Sequence, residues 1–296
     1  MLGGSSKVGI VGRIDFAEYV RLARPKQWVK NLLVFAVPLA SRDIFRPEII
    51  IHTFIAFIAF TLASASVYIW NDIRDAPSDR LNPVKATRPL ARGAVNPRPA
   101  AVLSFLLLVS SIGISFFVNE GKLLVIILSY LVIQAAYQFK LREFALLDMS
   151  AVASGFVLRA IAGGFASDIP ISVWFLSVTG STAFMIVSAK RYSEFVSEKS
   201  NVKTRHVLNE YTESYLRFLW SGSMLASLIF YSMWSAEIWT AALDGFSRLS
   251  VIPFILVLLR YAIFADRGQA ESPEKIIWSD RQIQIYASLW ILVFLL

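Results

Sequence analysis

The stretch Ala59-Phe60-Thr61-Leu62-Ala63-Ser64-Ala65-Ser66-Val67-Tyr68-Ile69-Trp70-Asn71-Asp72-Ile73-Arg74-Asp75-Ala76-Pro77-Ser78-Asp79 runs from a long apolar segment straight into three aspartates. The apolar part belongs to a run over about residues 50–70, near the ~20 residues that span ~30 Å of hydrocarbon at ~1.5 Å per residue. If the helix continues past Trp70, Asp72, Asp75 and Asp79 fall at i, i+3 and i+7 on one face. Three carboxylates so close repel one another unless a cation lies between them. Hard oxygen ligands without His or Cys suit Mg²⁺, which is commonly shared with substrate phosphates. The plain alternative is a solvated acidic turn balanced by Arg74 and Arg80.

Outward from this stretch the apolar runs repeat. Nine are read, over about 27–41, 50–70, 97–118, 121–138, 145–166, 171–190, 212–235, 248–265 and 281–296. Of the 296 residues 56% are hydrophobic and 17% charged, and mean hydropathy is +0.58; a soluble domain carries about 25% charged residues. The runs are unbroken, which excludes the alternating pattern of a membrane β-barrel. The fold class expected is an all-α integral membrane protein of nine transmembrane helices, forming one catalytic domain over 1–296. No cysteine is present, so disulfides, thiolate zinc sites and cysteine nucleophiles are excluded.

Net charge is +8. Most of the 29 Lys and Arg residues fall in alternate loops, while the intervening loops hold only Arg42, Arg46, Lys122 and Arg248. By the positive-inside rule the N-terminus is cytoplasmic and the C-terminus lies across the membrane. The cytoplasmic parts are then a segment over about 1–26 and loops over about 71–96 and 191–211. No secretory signal is read in the first residues; the expected location is the cell inner (plasma) membrane. The basic charge is matched to membrane lipid and phosphorylated substrates, with no nucleic acid among the partners; a homo-oligomer stays open.

Arg80, Lys85, Arg88 and Arg92 follow the aspartates. Alone they set topology; beside carboxylates they suit a diphosphate held by metal on one side and by cations on the other, Arg gripping it bidentately. Arg159 lies inside the fifth run. An intramembrane Arg is costly and points to function, although pairing with a nearby acid would also account for it.

With these residues in view, the chain resembles the intramembrane prenyltransferase (UbiA) superfamily. Asn71 to Asp79 fits that family's motif Asn-Asp-x-x-Asp-x-x-x-Asp without a mismatch. A second motif is recognisable as Tyr137-Gln-Phe-Lys140-Leu141-Arg142, ending at Asp148, with Leu141 where many members have Lys. After the sixth run, Lys190-Arg191-Tyr192-Ser193-Glu194 stands where aromatic prenyltransferases carry a second aspartate-rich motif. These residues, with 24–31 (Arg-Pro-Lys-Gln-Trp-Val-Lys-Asn) and 158–164 (Leu-Arg-Ala-Ile-Ala-Gly-Gly), are most similar to the branch acting on decaprenyl phosphate. That branch makes the lipid-linked phosphoribose used for cell-wall arabinan.

The resemblance implies phosphoribosyl diphosphate as donor, polyprenyl phosphate as acceptor and Mg²⁺ as cofactor. It implies Asn71, Asp72, Asp75 and Asp79 at the metal. Lys30, Asn31, Lys85, Arg88, Tyr137, Lys140, Arg142, Asp148, Arg159, Lys190, Arg191, Tyr192 and Glu194 would surround the substrates. Charge arithmetic agrees: these substrates carry more phosphate than a prenyl diphosphate with a neutral aromatic, so more cation and less carboxylate is expected. Two rivals remain, a prenyltransferase acting on an aromatic or quinone precursor and a secondary transporter of anions.

Overall fold

A computed structural model describes residues 16–83, 85–198, 206–242 and 246–295. Lys7 and Arg13 of the N-terminal segment, and Lys199, Lys203 and Arg205 of the loop 191–211, lie outside the described residues. Within them the chain is helical throughout: α1 (Phe16–Leu22), a 3₁₀ segment (Pro25–Phe35), α2 (Ala36–Ala40), α3 (Pro47–Asp79), α4 (Pro97–Phe116), α5 (Lys122–Phe139), α6 (Leu147–Ser167), α7 (Val173–Glu198), α8 (Glu213–Ala242), α9 (Phe246–Leu249), α10 (Val251–Asp266), α11 (Pro273–Ser279) and α12 (Arg281–Leu295). Proline opens the 3₁₀ segment, α3, α4 and α11, where its missing N–H costs nothing.

Five described helices are long and apolar enough to cross a bilayer: Pro47–Asp79, Pro97–Phe116, Asn119–Phe139, Leu147–Ser167 and Val173–Ser197. The remaining expected runs coincide with shorter or less apolar helices. Two boundaries move. The helix of the second run extends through all three aspartates to Asp79, so the first long loop begins at Arg80 rather than 71. The sixth run likewise stays helical past Lys190 to Glu198. The first run is not one continuous α-helix but the 3₁₀ segment followed by the short α2. At ~2.0 Å per 3₁₀ residue and ~1.5 Å per α residue, it still covers roughly 30 Å.

α4 shows how the bundle packs without a hydrophobic drive between helices. Its buried residues are Ala100, Ser104, Ser111 and Ser115, whereas Phe105, Leu106, Val109 and Phe116 are exposed. Small residues let the backbones of α3 and α4 approach; Ser66 Oγ donates to the Ser104 carbonyl at 2.8 Å and Ser111 Oγ to that of Ala59 at 2.8 Å. The closest approach is at Gly163 of α6, where a Cβ would stand 1.8 Å from the Val34 carbonyl oxygen. Only glycine allows the 3₁₀ segment to lie there.

The two ends of the bundle are chemically different. One brings Arg24 against Asp72, Lys30 against Glu274 at 2.6 Å and Arg260 against Asp280 at 2.7 Å. At the other, Lys122 meets Asp168 at 2.6 Å and Arg42 donates to the Phe294 carbonyl at 3.1 Å.

Candidate active site

The aspartate-bearing end of α3 is the most highly charged part of the bundle. Asp72 and Asp79 are both buried, at 3% exposure. Arg88 Nη1 donates to both, at 3.1 Å to Asp72 and 2.7 Å to Asp79, so a single cation lies between the two carboxylates. Arg24 also pairs with Asp72, and its guanidinium rests 5.3 Å over the Tyr68 ring. Arg24 takes a left-handed backbone conformation, φ 51 and ψ 62, as the chain turns into Pro25. Asn71 lies half-buried beside Asp72.

Asp75 points to a different neighbour. Arg142 Nη1 approaches it at 3.5 Å and Gln138 Nε2 at 3.4 Å. The three-carboxylate grouping expected from the i, i+3, i+7 spacing is therefore assembled only as the pair Asp72 and Asp79. Among the described residues, no group of three or more His, Asp and Glu side chains is disposed to hold a metal ion. The donor set still fits Mg²⁺: two buried carboxylates already converge on one cation, with the Asn71 amide alongside and no softer ligand present.

A second buried network lies on α6 and α7. Arg191, 2% exposed, donates from Nε to Asp148 at 2.8 Å and from Nη1 to Glu194 at 2.6 Å. Tyr211 donates to Asp148 at 3.1 Å and accepts the Leu146 N–H at 2.6 Å. That bond holds Leu146 at φ 64 just ahead of α6, a costly conformation for leucine. Burial, with the Asp148 charge beside it, pushes the Tyr211 phenol up to about 12. Tyr137 is half-buried and lies within electrostatic reach of Arg191.

Lys30 is paired with Glu274 of α11. Burial raises the Glu274 carboxyl, but Lys30, with Lys190 farther off, outweighs it and holds the group below the ordinary glutamate value. Lys190 is 41% exposed and 3.9 Å from Glu194. Deeper in, Arg159 Nε donates to Asn31 Oδ1 at 2.8 Å, and Asn31 Nδ2 donates to Thr61 at 3.0 Å and Ser64 at 3.2 Å.

Three expected residues stand apart. Lys85 is exposed on its turn. Lys140 lies over the Phe144 ring at 5.6 Å, leaving Arg142 as the cation of this segment that meets an aspartate, Asp75. Tyr192 is buried, and its hydroxyl accepts from Arg217 at 2.7 Å, facing α8. Sequence reasoning passed over Arg24, Gln138, Tyr211 and Glu274. The first two lie inside the strings 24–31 and 137–142 that carried the resemblance; the others give no local signal. A cavity of about 680 Å³ lies at the opposite end, lined by Lys122, Phe165, Asp168 and Leu176 among others; it holds one exposed ion pair and none of this chemistry.

The UbiA prenyltransferase family matches residues 32–282. The decaprenyl-phosphate phosphoribosyltransferase of Mycolicibacterium smegmatis is 39% identical over 285 residues, covering 92% of this chain and 89% of that one. The enzyme of the same name from Corynebacterium glutamicum is 36% identical, covering 92% and 84%. Among solved structures, a UbiA homolog from Archaeoglobus fulgidus bound to DMAPP and Mg²⁺ superposes with a TM-score of 0.71 at 20% identity, over 94% of this chain and 97% of that one. Family pattern, relatives along nearly the whole chain, and shared fold agree: this chain belongs to the UbiA prenyltransferase family.

Proposed function

We propose that the protein is a membrane phosphoribosyltransferase, a single transmembrane domain of nine crossings in the cell inner membrane with its charged end and N-terminus in the cytoplasm. It transfers 5-phosphoribose from phosphoribosyl diphosphate to a polyprenyl phosphate, decaprenyl phosphate by analogy with its relatives, and releases diphosphate. The observation that carries this reading is the identity of 36–39% to decaprenyl-phosphate phosphoribosyltransferases over about nine tenths of the chain.

The site's charges suit these substrates. Arg24, Arg88 and Arg142 each rest on an aspartate of α3. A donor diphosphate would draw these guanidinium groups from the carboxylates, which are then free to hold a cation. Mg²⁺ held by Asp72 and Asp79, with Asn71 and Asp75 at hand, would neutralise the charge developing on the leaving diphosphate. The arginines stabilise the same charge by hydrogen bonds that strengthen as the bond to C1 breaks. A general base is unnecessary, because a phosphate monoester is largely ionised at pH 7. Arg191 holds α6 to α7 through Asp148, and Lys190 is the more accessible of the two adjacent cations.

Donor choice is the test. Purified protein in detergent with Mg²⁺ is offered radiolabelled phosphoribosyl diphosphate or geranyl diphosphate, each with polyprenyl phosphate or an aromatic acid. Labelled lipid is expected only from the first donor with polyprenyl phosphate. Prenylated aromatic instead would establish the aromatic prenyltransferase, and no turnover without a sealed vesicle would favour a transporter.

A further inference from the structure

Arg159 is 5% exposed inside the bundle, and its partners are neutral. Besides Asn31, it donates to the Gly155 carbonyl at 2.6 Å and lies over the rings of Phe60 at 5.3 Å and Tyr130 at 5.1 Å. Among the described residues no carboxylate lies within 4 Å of it. Arg24, Arg88, Arg142, Arg191 and Lys30 each meet an acid instead. A buried cation is costly without a counter-charge. Four neutral contacts orient this one without cancelling it.

The space beside it is specific. Gly155 stands one turn before Arg159 on α6, and a Cβ there would come 3.3 Å from Arg159 Nη1 and 3.6 Å from Gln134 Nε2. The glycine leaves a notch bordered by a guanidinium and an amide, both donors. Gln134, Lys30 and Tyr68 keep partial exposure, so the notch borders an accessible wall.

Depth decides what the notch receives. Along α3, Arg24 sits at Asp72, while the Asn31 partner of Arg159 sits at Thr61 and Ser64. The step from Ser64 to Asp72 is ~12 Å at ~1.5 Å per residue, with Arg159 on the inner side. In a direct displacement the nucleophile enters C1 opposite the leaving group. With diphosphate held at the mouth, the nucleophile comes from the interior, where a hydrocarbon tail is also at home.

Resting on the phosphoribosyl-transfer reading, we propose that Arg159, with Gln134 beside it and Asn31 holding its guanidinium in place, binds the phosphate of the lipid acceptor and so selects an anionic acceptor over a neutral one. An oxygen lone pair of that phosphate forms the bond to C1. The C1–oxygen bond to diphosphate breaks with its electron pair on the diphosphate; no proton moves, and configuration at C1 inverts.

The test uses full-length protein in detergent with Arg159→Gln, Arg159→Lys and Gly155→Ala. Binding of radiolabelled phosphoribosyl diphosphate and of polyprenyl phosphate is measured separately, followed by steady-state kinetics. Arg159→Gln is expected to weaken polyprenyl phosphate roughly 10–150-fold, as for a lost charge-assisted phosphate contact, with donor affinity unchanged. Arg159→Lys should recover part of the loss, and Gly155→Ala should shift acceptor KM in the same direction. Should Arg159→Gln fail to fold, the other two variants give the same readout. A fall in donor affinity instead of acceptor affinity overturns the assignment, as does no change in either, or retained configuration at C1. If wild type makes no phosphoribosyl lipid, the functional reading fails on its own, while acceptor binding still judges Arg159.

Discussion

Asp72→Ala is expected to lower phosphoribosyl transfer at least ~100-fold, and Asp75→Ala to do the same, because loss of charge stabilisation on the leaving diphosphate amounts to ~3 kcal/mol or more of barrier. The two substitutions act differently. Asp72 is buried and carries both Arg24 and Arg88, so its loss removes an oxygen ligand, takes the acid partner from Arg24 and leaves Arg88 to Asp79 alone. Asp75 is 30% exposed and meets Arg142 at 3.5 Å, so its loss should spare the fold. Initial rates in a Mg²⁺ titration, with excess chelator as the control, check both. Full wild-type turnover in chelator would remove the metal from the site.

Asp148→Ala is expected to destabilise the protein by about 3–5 kcal/mol, the usual cost of removing one partner from a buried pair. Asp148 is fully buried, Arg191 nearly so, and Glu194 alone would be left to match the guanidinium. The same change frees Tyr211, whose hydroxyl holds the strained Leu146. Thermal unfolding of purified protein in detergent should show a large drop. Lys190→Ala, which removes a half-exposed ammonium 3.9 Å from Glu194, should leave the melting temperature near wild type. If Asp148→Ala melts as wild type does, the network is not a structural clamp.

The sequence made the α3 motif legible because its spacing is local: a helix places i and i+7 on one face whatever surrounds it, as with Asp72 and Asp79, whereas the turn of Asp75 toward Arg142 and Gln138 depends on another element. The apolar runs were legible for a similar reason, since hydropathy alone marks a lipid-facing segment. The helix ends were not. α3 and α7 continue past the apolar run because arginines match their carboxylates, Arg88 on α3 and Arg191 on α7, and hydropathy does not record pairing. The 3₁₀ form of the first segment depends on Val34 lying against Gly163, a contact between distant positions. Lys30 with Glu274 and Tyr211 with Asp148 are likewise pairs that only the folded chain defines, which is why Glu274 and Tyr211 escaped notice. The resemblance to the family supplied Asn31 and Lys30, which composition alone would have left as an interfacial belt.

The shared position of Arg88 has a thermodynamic consequence. Drawing Arg88 away toward a phosphate leaves Asp72 and Asp79 facing one another, and displacing it with a divalent cation leaves a guanidinium unmatched. Each event alone is uphill; together they cancel. Donor and metal affinities should therefore be cooperative, and linkage requires the enhancement to be the same in both directions. Calorimetric titration of Mg²⁺ with and without phosphoribosyl diphosphate, and the reverse, should give equal factors. An Arg88→Gln variant, which keeps a hydrogen-bond donor but no charge, should bind Mg²⁺ more readily alone and lose most of that cooperativity.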